Sequence, residues 1–276
     1  MQHSIEATEY KGQTVRYIKA GHGHHVLLAF HGFARTPEDF LPLIHGQEER
    51  FTLIAIYLPG HSPADGWADS VIDSRVWCDM LEELLKTVAA RFVSVLGYSL
   101  GGRIALHTCM NWKFKPFKLL LLAPDGIRVN VIQRLAMRYE FGTILLDGLL
   151  RRPKTFKALC YILTALGILP LTQRQFLLRQ WTDENKRETI SRVFPLYRRF
   201  IAKQSDVKEF ISSHAARIRI VMGENDQIIP KKTTNHLSND ICQEVMRILP
   251  DAGHDLLSTT HIKVWCQWLS DTHSYP

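Results

Sequence analysis

Arg91-Phe92-Val93-Ser94-Val95-Leu96-Gly97-Tyr98-Ser99-Leu100-Gly101-Gly102-Arg103-Ile104-Ala105-Leu106-His107-Thr108-Cys109 decides the fold. An apolar, β-branched run leads into Gly97-x-Ser99-x-Gly101, and residues that favour a helix follow. The pattern predicts a strand, one sharp turn and a helix, with Ser99 at the turn. A serine hydroxyl is a poor nucleophile until a base takes its proton, and a tight turn holds it clear of its own backbone where a base can reach. The glycines answer the crowding of strand against helix.

Outward from this turn, strands and helices alternate. Residues 14–19, 25–30 and 52–57 read as strands, the first two separated by Gly21-His22-Gly23. Thr36 as N-cap with Pro37 behind it starts a helix, and residues 74–90 space Val76, Trp77, Met80, Leu81, Leu84, Leu85 and Val88 for another. Residues 117–123, 218–222 and 244–249 read as further strands. The first of these is the near-continuous apolar run of a strand covered on both faces. Residues 260–269 read as the closing helix. The alternation predicts an α/β fold built on a mostly parallel, doubly wound sheet, with ligands at the carboxyl ends of the strands. Residues 126–207 break the rhythm: they are rich in Leu, Arg and Phe, show helical spacing and are interrupted by Pro153, Pro170 and Pro195. They read as a helical insertion into a core formed by residues 1–125 and 208–276.

With 276 residues, 46% of them hydrophobic, the chain can bury one large core. Its five cysteines form no Cys-x-x-Cys pair, which points to reduced thiols and a cytoplasmic setting. The acidic N-terminal stretch lacks the apolar segment of a secretory signal, and no apolar run reaches the length of a membrane span. The formal charge of +7 is uneven: residues 127–205 hold fifteen Lys and Arg against five Asp and Glu, a net +10 that leaves −3 for the rest. Such a segment suits an anionic small molecule, a membrane surface or simply a solvated helical face. Its aromatics fall at helical spacing, as core and pocket lining does, so nucleic acid is not expected. There is no His-Glu-x-x-His or Gly-x-x-x-x-Gly-Lys motif, and no metal or cofactor is expected.

Acyl transfer needs a nucleophile, a base, a group to orient the base and donors for the developing oxyanion. Asp226 follows one strand within Met222-Gly223-Glu224-Asn225-Asp226, and His254 follows the next within Pro250-Asp251-Ala252-Gly253-His254. Asp125, after residues 117–123, is a rival for the acid. His31-Gly32-Phe33 follows the strand at 25–30, where a backbone N–H could join that of Leu100. Together with Leu58-Pro59-Gly60-His61-Ser62 and Ile229-Pro230, these motifs resemble the α/β-hydrolase superfamily of the capped type, over nearly the whole chain. The resemblance implies the α/β-hydrolase fold, Ser99 as nucleophile, His254 as base, Asp226 as orienting acid, the Phe33 and Leu100 amides as oxyanion hole and the insertion at 126–207 as a cap that shapes the pocket. Tyr57 departs from it, since many relatives carry an acid there.

The expected activity is hydrolysis of a small-molecule ester or related carbonyl compound through an acyl-enzyme. The elbow through Arg103 is also similar to that of the menaquinone-pathway synthases that eliminate pyruvate. That likeness makes Arg103 a candidate carboxylate binder and keeps open a lyase or carbon–carbon bond hydrolase with an anionic substrate. A non-catalytic ligand-binding protein is the third reading. His31, which together with His61 reads as holding loops by hydrogen bonds, and Trp181 are further candidate substrate contacts. The apolar run at 158–169 suits an acyl-chain pocket, a membrane surface or cap packing.

Overall fold

The apolar runs become strands β1 (His3–Tyr10), β2 (Gln13–Ala20), β3 (His25–Phe30), β4 (Phe51–Ile56), β5 (Phe92–Tyr98), β6 (Leu119–Leu122), β7 (Ile218–Gly223) and β8 (Met246–Leu249) in a computed structural model. The structure describes residues 2–61, 71–88, 90–113, 115–128, 148, 152–169, 171–181, 183–258, 265, 268 and 269. The strands form one sheet in the order β1-β2-β4-β3-β5-β6-β7-β8, parallel from β4 to β8, with β1 and β2 antiparallel at one edge. This is the mostly parallel α/β sheet that the alternation predicts.

Side chains on neighbouring strand positions go to opposite faces, and both faces are covered. Val26, Leu28, Phe30, Leu119 and Leu121 join one buried cluster, while Leu27, Ala29, Leu120 and Leu122 join the other. Helices α1 (Ser74–Thr87) and α2 (Leu100–Asn111) lie on the first face. The Asp73 carboxylate caps α1 by accepting from the Arg75 and Val76 amides, and Trp77 of α1 donates to Thr108 of α2 at 3.0 Å. The helix start expected at Thr36-Pro37 opens the 3-10 helix Pro37–Ile44, with Thr36 at the N-cap position but without a side-chain capping hydrogen bond. Its Glu38 accepts from the Tyr57 hydroxyl, so a carboxylate reaches the loop after β4 from another element. Of the closing helix, only Trp265, Trp268 and Leu269 lie among the described residues, and Trp265 and Leu269 are buried in the second cluster.

Between β6 and β7 run α3 (Pro153–Ala165), α4 (Leu171–Trp181), α5 (Glu184–Leu196) and α6 (Gln204–Ser213). Phe156 and Cys160 of α3, Trp181 of α4 and Ile190 of α5 form a small core of their own, with Phe33 and Phe194 at its border. Val193, Leu196, Tyr197, Phe200 and Val207, which the sequence assigns to the insertion, pack into the main core. The end of α5 also grips the loop after β4: Arg192 Nε donates to the Gly60 carbonyl at 3.2 Å and the Tyr197 hydroxyl to that of Pro59 at 3.2 Å. Much of the segment at 129–151, including Tyr139 and Phe141, lies outside the described residues.

Candidate active site

Ser99 stands between β5 and α2 with φ +52° and ψ −115°, a conformation that costs a residue with a side chain free energy and persists only where its surroundings impose it. They do so on both sides. The Ser99 amide donates to Leu122 O at 2.9 Å, and its carbonyl accepts from the Gly102 and Asp125 amides at 2.9 Å each. The strand-to-helix reversal leaves no room for side chains at the flanking glycines. A Cβ at Gly101 would lie 1.9 Å from the Phe30 carbonyl oxygen, and one at Gly97 would lie 2.4 Å from Gly101 O. Gly101→Ala is therefore expected to cost ~3 kcal/mol or more. Gly46→Ala, at φ +77° but in open space, should cost only the backbone strain of about 1–2 kcal/mol. Urea midpoints of the two variants check the difference, and equal losses would remove the steric account of the elbow.

Asp226 and His254 arrive on the loops after β7 and β8, and those loops are tied together. Glu224 N donates to Leu249 O at 3.0 Å and Asn225 N to Ala252 O at 2.9 Å. Gly223 is required here, because a Cβ would sit 2.1 Å from the Gly253 carbonyl oxygen. The result is a continuous chain of hydrogen bonds: Ser99 Oγ lies 3.0 Å from His254 Nε2, and His254 Nδ1 lies 2.7 Å from Asp226 Oδ2. The other carboxylate oxygen, Oδ1, accepts from the amides of Ile228 at 2.8 Å and Ile229 at 2.9 Å. A carboxylate only accepts, so the proton it shares with the ring sits on Nδ1, and Nε2 faces the serine hydroxyl as an acceptor. This arrangement can take a proton from Ser99 and stabilise the imidazolium that forms.

The rival acid is committed elsewhere. Asp125 pairs with the guanidinium of Arg103, whose side chain is 3% exposed. The Arg103 charge is thus buried behind the elbow and met by Asp125, the pairing within the fold that competes with a substrate carboxylate. The His31 ring is likewise committed to the fold. Its Nδ1 donates to Gly32 O at 2.8 Å and its Nε2 accepts from the Leu58 amide at 3.1 Å, so both ring nitrogens are spent on holding two loops. Trp181 lies in the small core of α3, α4 and α5, buried and stacked on Phe156 with ring centroids 3.3 Å apart.

The expected oxyanion donors sit where the strand ends converge. Leu100 is the first residue of α2, where a helix leaves its amides without partners inside itself. The loop bearing Phe33 passes so close to the elbow that a Cβ on Gly32 would lie 3.3 Å from Ser99 Cβ. Above it, the Phe33 ring lies 6.4 Å from that of Phe194 on α5 and 6.0 Å from that of His61. One supporting residue escaped the sequence reading. Tyr98 donates its hydroxyl to the His254 carbonyl at 3.1 Å and sets its ring 5.4 Å from the imidazole, which braces the histidine loop. Its place immediately before the serine was the available signal.

The profile of the Alpha/beta hydrolase family matches residues 26–262. The chain belongs to that family. Among curated proteins it is similar to the 2-hydroxy-6-oxononadienedioate/2-hydroxy-6-oxononatrienedioate hydrolase of Escherichia coli, with 22% identity over 94% of this chain and 88% of that protein. Solved structures with the same fold include an esterase from Exiguobacterium antarcticum, at TM-score 0.60 and 16% identity over 97% of this chain and 99% of that one. A meta-cleavage product hydrolase from Pseudomonas fluorescens aligns at TM-score 0.61 and 15% identity over 95% of this chain and 96% of that one. Among the described residues, no group of His, Cys, Asp and Glu could hold a metal ion, and no helix is long and apolar enough to cross a membrane.

Proposed function

We propose that this alpha/beta hydrolase is a serine hydrolase that cleaves a small-molecule ester or related carbonyl substrate through an acyl-enzyme. The hydrogen-bond chain Ser99–His254–Asp226 carries the reading. Ser99 Oγ attacks the substrate carbonyl carbon as its proton passes to His254 Nε2, and Asp226 stabilises the imidazolium. The oxyanion is held by the amides of Phe33 and Leu100. Collapse of this intermediate expels the leaving alcohol, which takes the proton from His254. Water then attacks the acyl carbonyl, gives its proton to His254, and the carboxylic acid leaves as Ser99 recovers its proton. The small core of α3, α4 and α5 borders this site through Phe33 and Phe194, and the insertion at 126–207 is read as its cap.

A second reading, cleavage of a carbon–carbon bond beside a ketone, is favoured by the curated relatives named for that type of dienedioate substrate. Arg103, the residue that most suggested a carboxylated substrate, pairs with Asp125, and this supports placing the ester reading first.

The test is turnover of a chain-length series of p-nitrophenyl esters by wild type and Ser99→Ala, with intact mass after a fluorophosphonate probe. One covalent adduct on wild type, none on the variant, and Ser99-dependent turnover are expected. Ester turnover that survives in Ser99→Ala would overturn the proposal. A folded wild type that cleaves a 2-hydroxy-6-oxo dienoic acid but no ester would replace it with the second reading.

A further inference from the structure

The helix α3 carries two faces with different partners. Its inner face buries Phe156 and Cys160 in the cap core. Its outer stripe, Lys154, Lys157, Ala158, Tyr161, Ile162 and Ala165, recurs at helical spacing and is exposed throughout. Along that stripe the chemistry changes, from lysines at the start to large apolar side chains at the end. Seven large apolar residues are exposed among the described residues, and five of them, Tyr161, Ile162, Leu166, Ile168 and Leu171, fall at the turn between α3 and α4. The cap core does not use them, so packing of the cap leaves the apolar run at 158–169 half explained.

This tip is held in one shape. Gly167, at φ +70°, follows the end of α3, and its amide donates to Thr164 O at 3.0 Å while the Ile168 amide donates to Leu163 O at 2.9 Å. That pair of bonds is a Schellman stop, which fixes the chain leaving the helix. The apolar side chains are thus presented by a rigid turn. The two helices and the turn between them carry charge of one sign: residues 152–181 contain five Lys and Arg and no Asp or Glu. Arg174 spreads its guanidinium 4.4 Å above the Tyr161 ring, which keeps the cation beside the apolar tip.

We infer that this tip seats the protein on an anionic lipid surface, with Ile162, Leu166, Ile168 and Leu171 in the acyl boundary and Lys154, Lys157 and Arg174 at the headgroups. A bilayer carrying anionic lipid offers both partners that the surface lacks, apolar depth for the tip and negative charge for its flank. A second copy of the chain fits less well. A two-fold contact through the same patch would set these cations against their own copies with no acid from 152–181 to meet them. The inference is independent of the chemistry assigned to Ser99.

Co-sedimentation with vesicles tests it. Vesicles of phosphatidylglycerol mixed with phosphatidylcholine should pellet wild type at least about tenfold more effectively than pure phosphatidylcholine, and raised salt should weaken the difference. Ile162→Glu combined with Leu166→Glu and Ile168→Glu should abolish pelleting. Lys154→Glu with Lys157→Glu, which leaves the apolar tip intact, should reduce it about tenfold or more. Wild type that stays in the supernatant with anionic vesicles would overturn the inference. So would triple-variant protein that pellets like wild type, or a wild-type dimer that the triple substitution converts to monomer.

Discussion

Asp226→Asn is expected to lower kcat by about four orders of magnitude while leaving the fold in place. The reason lies in how the carboxylate is held. Oδ1 accepts from two backbone amides, those of Ile228 and Ile229, and Oδ2 faces His254 Nδ1. An asparagine in this socket must keep its oxygen toward the two amides, because its NH2 would otherwise meet two donors. Its NH2 group then replaces Oδ2 and donates to Nδ1. The imidazole is forced into the other tautomer, with its proton on Nε2 facing Ser99, and cannot accept the serine proton. Size and buried volume hardly change, so unfolding midpoints should move little. Steady-state kinetics on the best p-nitrophenyl ester check the loss. Asp125→Asn is the contrasting variant: it removes the charge that meets buried Arg103, and breaking such a pair costs about 3–5 kcal/mol. Its signature should be lost stability, with kcat affected far less than in Asp226→Asn. A small effect at Asp226 and a large kinetic effect at Asp125 would reverse the assignment of the acid.

How much of this arrangement was legible in the sequence follows from the range of the forces involved. The buried parallel strands were readable because both of their faces are apolar: the expected strand at 25–30 coincides with β3, and that at 218–222 falls one residue short of β7. The edge strand β1 was not, since most of its side chains are exposed and only its pairing with β2 orders it. The sequence does hold its hairpin turn, Lys11-Gly12, where both residues have positive φ. Near the other edge, α7 (Asn239–Val245) runs directly into β8 and shortens the strand expected from residue 244. Ser99, Asp226 and His254 were found from position after a strand, because strand ends in such a sheet converge on one edge. What a side chain does with its charge was not readable. Arg103 looks the same in sequence whether it faces a ligand or Asp125, and His31 looks the same whether it meets a substrate or only pins a loop. Those outcomes depend on loops that meet in space only after folding.

The histidines also make the fold acid-sensitive in a range where carboxylates are still ionised. His25, His31 and His107 are all buried. Burial is the main cause that holds their pKa values down, to about 4, about 3 and about 4, and neighbouring groups, Arg50 and Lys118 for His25 and His61 and Arg35 for His31, push in the same direction. In the unfolded chain each should titrate near its ordinary value of about 6.5. Between those limits the unfolded state binds protons that the folded state refuses, so stability rises with pH there. The contribution is therefore complete above about pH 6.5 and is lost as pH falls toward 4, at ~1.4 kcal/mol per pH unit for each histidine. Three such groups remove about 6 kcal/mol between pH 7 and pH 5, comparable with the whole stability of many domains. His31 should be the least forgiving. Its Nε2 accepts from the Leu58 amide, and a protonated ring would turn a donor toward that donor. His107 has a softer neighbour, since the Ser74 hydroxyl at 2.8 Å can turn to accept. Urea unfolding at pH 7, 6 and 5 should show this steep loss, and His107→Gln should reduce the slope by about a third. A free energy of unfolding that stays level from pH 7 to pH 5 would mean that these rings are charged in the fold and that their burial has been misread.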